Sequence, residues 1–131
     1  GLGFALPGAI GISLAQPERP VIAVVGDGST MYSVQALWTA AHLKLPITYL
    51  IINNRSYRII KERLVSIRNS DRFVAMDMND PAIDFVGVAQ GLGMAARRIA
   101  APQAIEAALR EAIESGAPNL IEAIVDDGFQ K

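Results

Sequence analysis

The chain has 131 residues, of which 51% are hydrophobic and 19% charged, and its formal net charge at pH 7 is −1. That length suits one domain with a sizeable core, and the near-neutral balance offers no basic surface to a nucleic acid. With no cysteine present, disulfides, zinc thiolates and a cysteine nucleophile are excluded, and a reducing cytoplasmic setting is the expectation.

The apolar start contains Gly1, Gly3, Gly8 and Gly11, lacks the basic flank of a signal peptide and is too short to cross a membrane. It predicts a soluble helix within residues 5–15. The run Val21 to Val25 predicts a strand over 20–25, followed by a helix over 29–43 and a second apolar strand over 47–52. Pro46 falls between helix and strand, where its missing N–H and restricted φ do no harm. A short helix is expected over 57–65, then a polar stretch over 66–80 and a helix near 83–92. Residues 94–99 form either a strand or an extended connection. Pro102 opens another helix, in which Ala104, Ile105, Ala108, Leu109, Ala112 and Ile113 recur at helical spacing and Gly116 lies near the end. Residues 120–125 supply the last strand. Continuous rather than alternating apolar strands imply helices on both faces of the sheet, and right-handed crossovers make it parallel. The predicted class is α/β, a doubly wound, mainly parallel sheet.

Gly26-Asp27-Gly28-Ser29 directly follows the first strand, and Asn53-Asn54 directly follows the second. Small residues at a strand end let the backbone approach a ligand, and Ser29 is placed to cap the next helix, whose free N–H groups and dipole favour phosphate. Asp27 would repel bound phosphates unless a divalent cation lay between them. Side-chain amide oxygens such as that of Asn54 are hard ligands suited to Mg²⁺ or Ca²⁺. In a parallel sheet the carboxyl ends of neighbouring strands open on one crevice, so Asp27 and Asn54 are expected to share one ion there. Nucleotide motifs do not compete: there is no phosphate-binding Gly-Lys-Ser/Thr loop, and Gly26-x-Gly28 lacks the third spaced glycine of the dinucleotide fingerprint.

Gly-Asp-Gly, this spacer and Asn-Asn together resemble the diphosphate-binding motif of the thiamine diphosphate-dependent enzymes. The opening Gly1-Leu2-Gly3-Phe4-Ala5-Leu6-Pro7-Gly8-Ala9-Ile10-Gly11 is similar to the segment before that motif in benzoylformate decarboxylase and acetolactate synthase, so the resemblance covers nearly the whole chain. Ala36-Leu37-Trp38-Thr39-Ala40-Ala41 leans toward the benzoylformate decarboxylase branch. The resemblance implies the thiamine diphosphate-binding fold of a C-terminal domain, with residues 1–131 as one diphosphate- and Mg-anchoring domain of a larger multidomain enzyme.

Position by position, the resemblance makes Asp27 and Asn54 side-chain metal ligands and Ser56 a ligand through its main-chain carbonyl. Gly28 and Ser29 would hold the diphosphate. Leu2 matches the bulky apolar residue that wedges under the cofactor and keeps its rings bent into a V. The family's activating glutamate sits on an N-terminal pyrimidine-binding domain of a facing subunit, so no catalytic residue is assigned here and that domain is an expected partner. The helix after Asn-Asn faces cofactor and substrate in similar enzymes, which places Tyr57 at the cofactor and Ile60 in the substrate pocket, against the plain alternative of local core packing. The implied activity is thiamine diphosphate- and Mg-dependent decarboxylation of a 2-oxoacid in a homo-oligomer without a membrane partner, the isolated chain being inactive. An acetolactate synthase-like carboligase domain and a noncatalytic assembly module are the alternatives.

Other conspicuous residues have plainer readings. His42, the only histidine, is better explained by its helix C-terminus than as a general base. Leu37, Trp38 and Ala41 point to core or subunit packing rather than cofactor stacking. Arg55, Arg58, Lys61, Arg63, Arg68 and Arg72 are interleaved with Glu62 and Asp71, which favours a solvated or intersubunit ion-pair surface over phosphate binding. Asp77, Asp80 and Asp84 lack the glycine and terminal glutamate of a Ca²⁺ loop and read as loop and helix-start residues.

Overall fold

A computed structural model describes residues 1–128. Helix α1 (Ala5–Ala15) leads to strand β1 (Val21–Gly26), the short helix α2 (Asp27–Thr30), helix α3 (Ala36–His42) and strand β2 (Ile47–Asn53). Helix α4 (Arg58–Arg68), helix α5 (Phe85–Gly91) and strand β3 (Ala95–Ile99) follow. A 3₁₀ turn (Pro102–Ala104) then enters helix α6 (Ile105–Glu114), and strand β4 (Asn119–Ile124) closes the order. The four strands run parallel in the order β1-β2-β4-β3. Of residues 94–99, open between strand and connection in the sequence, Ala95–Ile99 thus form an edge strand.

The strand faces divide the core in two. On one face Leu6 and Ala9 of α1, Leu37 and Ala40 of α3 and Phe85 and Ala89 of α5 pack against Val25, Ile47, Tyr49, Ile51 and Leu120. On the other, Ala108 and Ala112 of α6 meet Leu50, Ile99, Ile121 and Ala123. Complete burial of an Ile or Leu contributes about 1.5–3 kcal/mol, so the inner strands, apolar on both sides, are the chief source of stability. Tyr49 is fully buried and donates its hydroxyl to the Leu6 carbonyl, tying α1 to β2. Among the described residues α6 is the one helix packed into this second cluster, and Ile22 and Val24 of edge strand β1 are exposed.

Two helices differ from their sequence expectations. The helix expected over 29–43 is divided into α2 and α3, because residues 32–38 coil by tighter bonds to the third residue back, such as Tyr32 N–H to Ser29 O and Ala36 N–H to Ser33 O. The N-terminal segment imposes this. Gly3 donates its N–H to Ser29 Oγ (3.1 Å), and Ser33 Oγ donates to the Gly3 carbonyl (2.6 Å). At Gly3, φ is +77° and a Cβ would lie 2.7 Å from that of Tyr32, so no other residue fits this crossing. Ser29 therefore lies inside α2 rather than capping a helix; the N-cap position is Gly26, without a side-chain cap. Helix α4 in turn runs past residue 65 to Arg68 and ends at Asn69 in the left-handed conformation, a common helix stop.

Candidate functional site at the carboxyl ends of β1 and β2

The paired carboxyl ends of β1 and β2 open into a cleft of about 500 Å³. All eight residues singled out from the sequence line it: Leu2, Asp27, Gly28, Ser29, Asn54, Ser56, Tyr57 and Ile60. Asp27, the first residue after β1, is buried. Its Oδ1 accepts from Gly28 N–H (2.7 Å) and its Oδ2 from Arg55 N–H (2.7 Å), which clamps the two strand ends together. Burial pushes the Asp27 carboxyl above its ordinary value, although several backbone hydrogen bonds pull the other way. Among the described residues no lysine or arginine side chain forms an ion pair with it.

The turn after β2 is built from its own side chains. Asn53 Oδ1 accepts from Arg55 N–H (3.0 Å) and Asn54 Oδ1 from Ser56 N–H (3.0 Å). Arg55 is held at φ +56°, a conformation that costs a side-chain-bearing residue about 1–2 kcal/mol. Neighbours make up that cost: the Arg55 carbonyl accepts from Met78 N–H (2.7 Å), Tyr57 N–H donates to Met76 O (2.9 Å), and Ser56 Oγ donates to Met76 O (3.4 Å).

An anionic oxygen pair on Asp27 and an amide oxygen on Asn54 at adjacent strand ends are hard donors, each oxygen keeping a lone pair beyond the one engaged with an N–H. Among the described residues there is no cluster of three or more His, Cys, Asp or Glu able to enclose a metal. Mg²⁺ takes one or two carboxylates and completes its shell with water and phosphate oxygens. The hard oxygen donors of Asp27 and Asn54 fit such an ion.

Leu2 stands exposed at one wall. Tyr57 lies across the floor, where a Cβ added to Gly28 would come within 2.7 Å of its ring. Ile60 and Ile59 extend the apolar wall from α4, and neither belongs to the core, which sets aside core packing for Ile60. Sequence reasoning did not assign Gly26, Tyr32, Ile52, Arg58, Ile59 or Glu62 to the lining; for Arg58, Ile59 and Glu62 the available signal was their place in the first turns of the helix that carries Ile60.

Of the remaining candidates, all but Arg58 lie away from the cleft lining. Lys61 is not on a solvated surface as its basic surroundings suggested: it is buried, 5% exposed, and donates to Asp77 and Asp127. Burial opposes its charge, yet the two carboxylates outweigh this and hold its pKa above the ordinary lysine value. Arg58 pairs with Glu62 (2.8 Å). His42 ends α3 and stacks on Trp38, with ring centroids 4.8 Å apart. Trp38 itself is half exposed and packs outside the core, whereas Leu37 is fully buried. Asp84 occupies the N-cap position of α5 without a side-chain cap bond and pairs with Arg98.

Comparisons with known proteins show the family and the fold. The profile of the family described as thiamine pyrophosphate enzyme, C-terminal TPP binding domain, matches residues 1–123. Benzoylformate decarboxylase of Pseudomonas aeruginosa is 38% identical over 122 residues, covering 93% of this chain and 22% of that protein. Acetolactate synthase of Bacillus subtilis is 34% identical over 125 residues, covering 95% of this chain and 21% of that protein. The solved structure of a thiamine diphosphate-dependent 4-hydroxybenzoylformate decarboxylase from Rhodococcus jostii RHA1 superposes with a TM-score of 0.88 at 38% identity, over 95% of this chain and 23% of that one. The chain thus spans about a quarter or less of the length of these relatives.

Proposed function

This chain belongs to the thiamine pyrophosphate enzymes, among their C-terminal cofactor-binding domains, and from that premise we propose that it anchors thiamine diphosphate through Mg²⁺ within an enzyme that decarboxylates a 2-oxoacid. The observation that carries this reading is the convergence of Asp27, Asn54 and Ser56 with Leu2, Gly28, Ser29 and Tyr57 on one cleft. Asp27 and Asn54 would hold the metal by side-chain oxygens and Ser56 by its carbonyl. Gly28, with no side chain, and the Ser29 hydroxyl would admit and bind the diphosphate, and Leu2 would support the cofactor from beneath. The apolar wall of Ile59 and Ile60 would receive the substrate side chain and exclude water. When bound, thiamine diphosphate supplies the carbanion stabilisation that cleavage beside a ketone requires. The 38% identity both to benzoylformate decarboxylase and to the solved 4-hydroxybenzoylformate decarboxylase supports decarboxylation as the reading, with acetolactate-type carboligation as the alternative.

The activating acid would come from an N-terminal domain of a facing subunit. A homo-oligomer is supported by α1, which has no charged residue and leaves Ile12 and Leu14, with neighbouring Phe4, exposed. Residues 1–131 would be one domain of that enzyme. Among the described residues no helix is long and apolar enough to cross a membrane, and the lack of cysteine favours the cytoplasm.

Calorimetric titration of the chain with thiamine diphosphate, with and without Mg²⁺, tests the anchoring site. Binding that requires Mg²⁺ and weakens by about 100-fold in Asp27→Ala is expected. Equal affinity in the variant, or binding indifferent to the metal, would overturn the assignment.

A further inference from the structure

A line of polar groups crosses the sheet just beneath the site. Glu122 lies in the middle of β4, 1% exposed among Leu120, Ile121 and Ala123. Its Oε1 accepts from Asn53 Nδ2 (2.6 Å) and its Oε2 from Arg98 Nε (2.7 Å), and Arg98 Nη2 donates onward to Asp84 (2.7 Å). Burying a carboxylate costs several kcal/mol unless it is paired, and an apolar residue of similar size would serve strand packing at least as well. Glu122 therefore needs a reason beyond the fold of β4.

The donor and acceptor pattern supplies one. An ionised carboxylate only accepts, so Glu122 compels Asn53 to face it with the NH₂ group. The Asn53 oxygen is thereby turned to the opposite side, where it accepts the Arg55 N–H. Asp27 Oδ2 shares that same N–H, and Arg55 is the left-handed residue between Asn54 and Ser56.

We infer that Glu122 and Asn53 are positioning residues: the buried carboxylate orients the Asn53 amide, and the amide holds the turn that presents Asn54 and Ser56. This rests on the reading of those two residues as metal ligands, and it gives the first asparagine of the pair a task distinct from that of the second.

The polarity of the chain makes the inference testable without deleting a side chain. Glu122→Gln offers one acceptor and one donor to two donors. The guanidinium of Arg98 takes the acceptor, the new NH₂ faces Asn53, and the Asn53 amide flips so that its own NH₂ opposes the Arg55 N–H. Adding Asn53→Asp restores the pattern, since the new carboxylate accepts from the glutamine on one side and from Arg55 on the other, with total charge unchanged.

Amide hydrogen exchange by NMR and Mn²⁺-dependent thiamine diphosphate binding, read on the chain and both variants, decide the matter. Relative to core amides of β2, Arg55 N–H should exchange about fivefold faster in Glu122→Gln. Binding should weaken about tenfold, the scale on which partners of metal ligands act. The double variant should return both to within about twofold of the parent chain. Unchanged Arg55 exchange in Glu122→Gln, or a double variant no better than the single, would overturn the inference, because loss of packing alone cannot be repaired by a second polar exchange. If the parent chain binds no cofactor, the metal-site reading fails by itself, while Arg55 exchange still decides what Glu122 and Asn53 do.

Discussion

Asp27 follows edge strand β1 and Glu122 lies within inner strand β4, and both are buried, yet their charges are met by different partners. Glu122 accepts from a guanidinium and a side-chain amide, so its charge is compensated within the fold. Asp27 accepts from neutral backbone N–H groups, and burial lifts its pKa. A carboxylate with an internal cation is a structural member; one held only by dipoles is left to favour a cation from outside. The sheet thus contains a support within β4 and an open site at the ends of β1 and β2, joined through Asn53 and the Arg55 N–H.

The comparison breaks most readily at Glu122. Glu122→Ala should cost about 2–3 kcal/mol in urea unfolding of the metal-free chain, since Asn53 loses its acceptor and Arg98 one of two carboxylates. Asp27→Ala should cost under about 1 kcal/mol in the same assay, because removing a buried charge offsets the lost backbone bonds. Equal losses would erase the distinction between support and site.

Gly28→Ala sharpens it on the site side. The added methyl meets the Tyr57 ring at 2.7 Å, so about 1–2 kcal/mol of destabilisation is expected. Most of this should vanish in a Tyr57→Ala background, and a cost that persists there would show that the backbone rather than the ring is crowded.

Lys61 offers a third arrangement, a buried cation with two carboxylates. Its folded pKa is raised above the unfolded value, so its contribution is complete below the unfolded lysine pKa and is lost as pH rises through the folded one. Lys61→Met should lower stability by about 1 kcal/mol at pH 8 and converge with the parent chain at strongly alkaline pH. A constant difference across that range would mean that packing rather than charge is at stake. The exposed Arg110–Glu106 pair on α6 is the control at the small end: Arg110→Ala should change unfolding by no more than about 0.5 kcal/mol.

Much of the scaffold was readable from local pattern. Apolar runs gave β1, β2 and β4, and alternating helical runs gave α1, α5 and α6 within a few residues. The motif residues were readable only as a combination, Gly-Asp-Gly and Asn-Asn at this spacing after two apolar runs, because either alone is ordinary turn composition. The break between α2 and α3 was not readable, since it follows from Gly3 bonding to Ser29 and Ser33 across the chain. Burial of Lys61 was hidden by the arginines around it, and its partners Asp77 and Asp127 lie in later segments. Glu122 did leave a trace: a glutamate amid the apolar residues of a last strand demands a buried partner.

By itself the sequence determined the class of fold, the order of its elements and the chemical kinds of side chain at the strand ends, because these follow from periodicity and residue type. Tertiary structure alone decided which donors face which acceptors: that Asn53 meets Glu122 across 69 positions of chain, and that Asp27 grips the backbone of Arg55. Parallel pairing sets strand ends side by side through long crossovers, and hydrogen bonds act only within about 3 Å. Partners distant in sequence therefore acquire their meaning only when the sheet has formed.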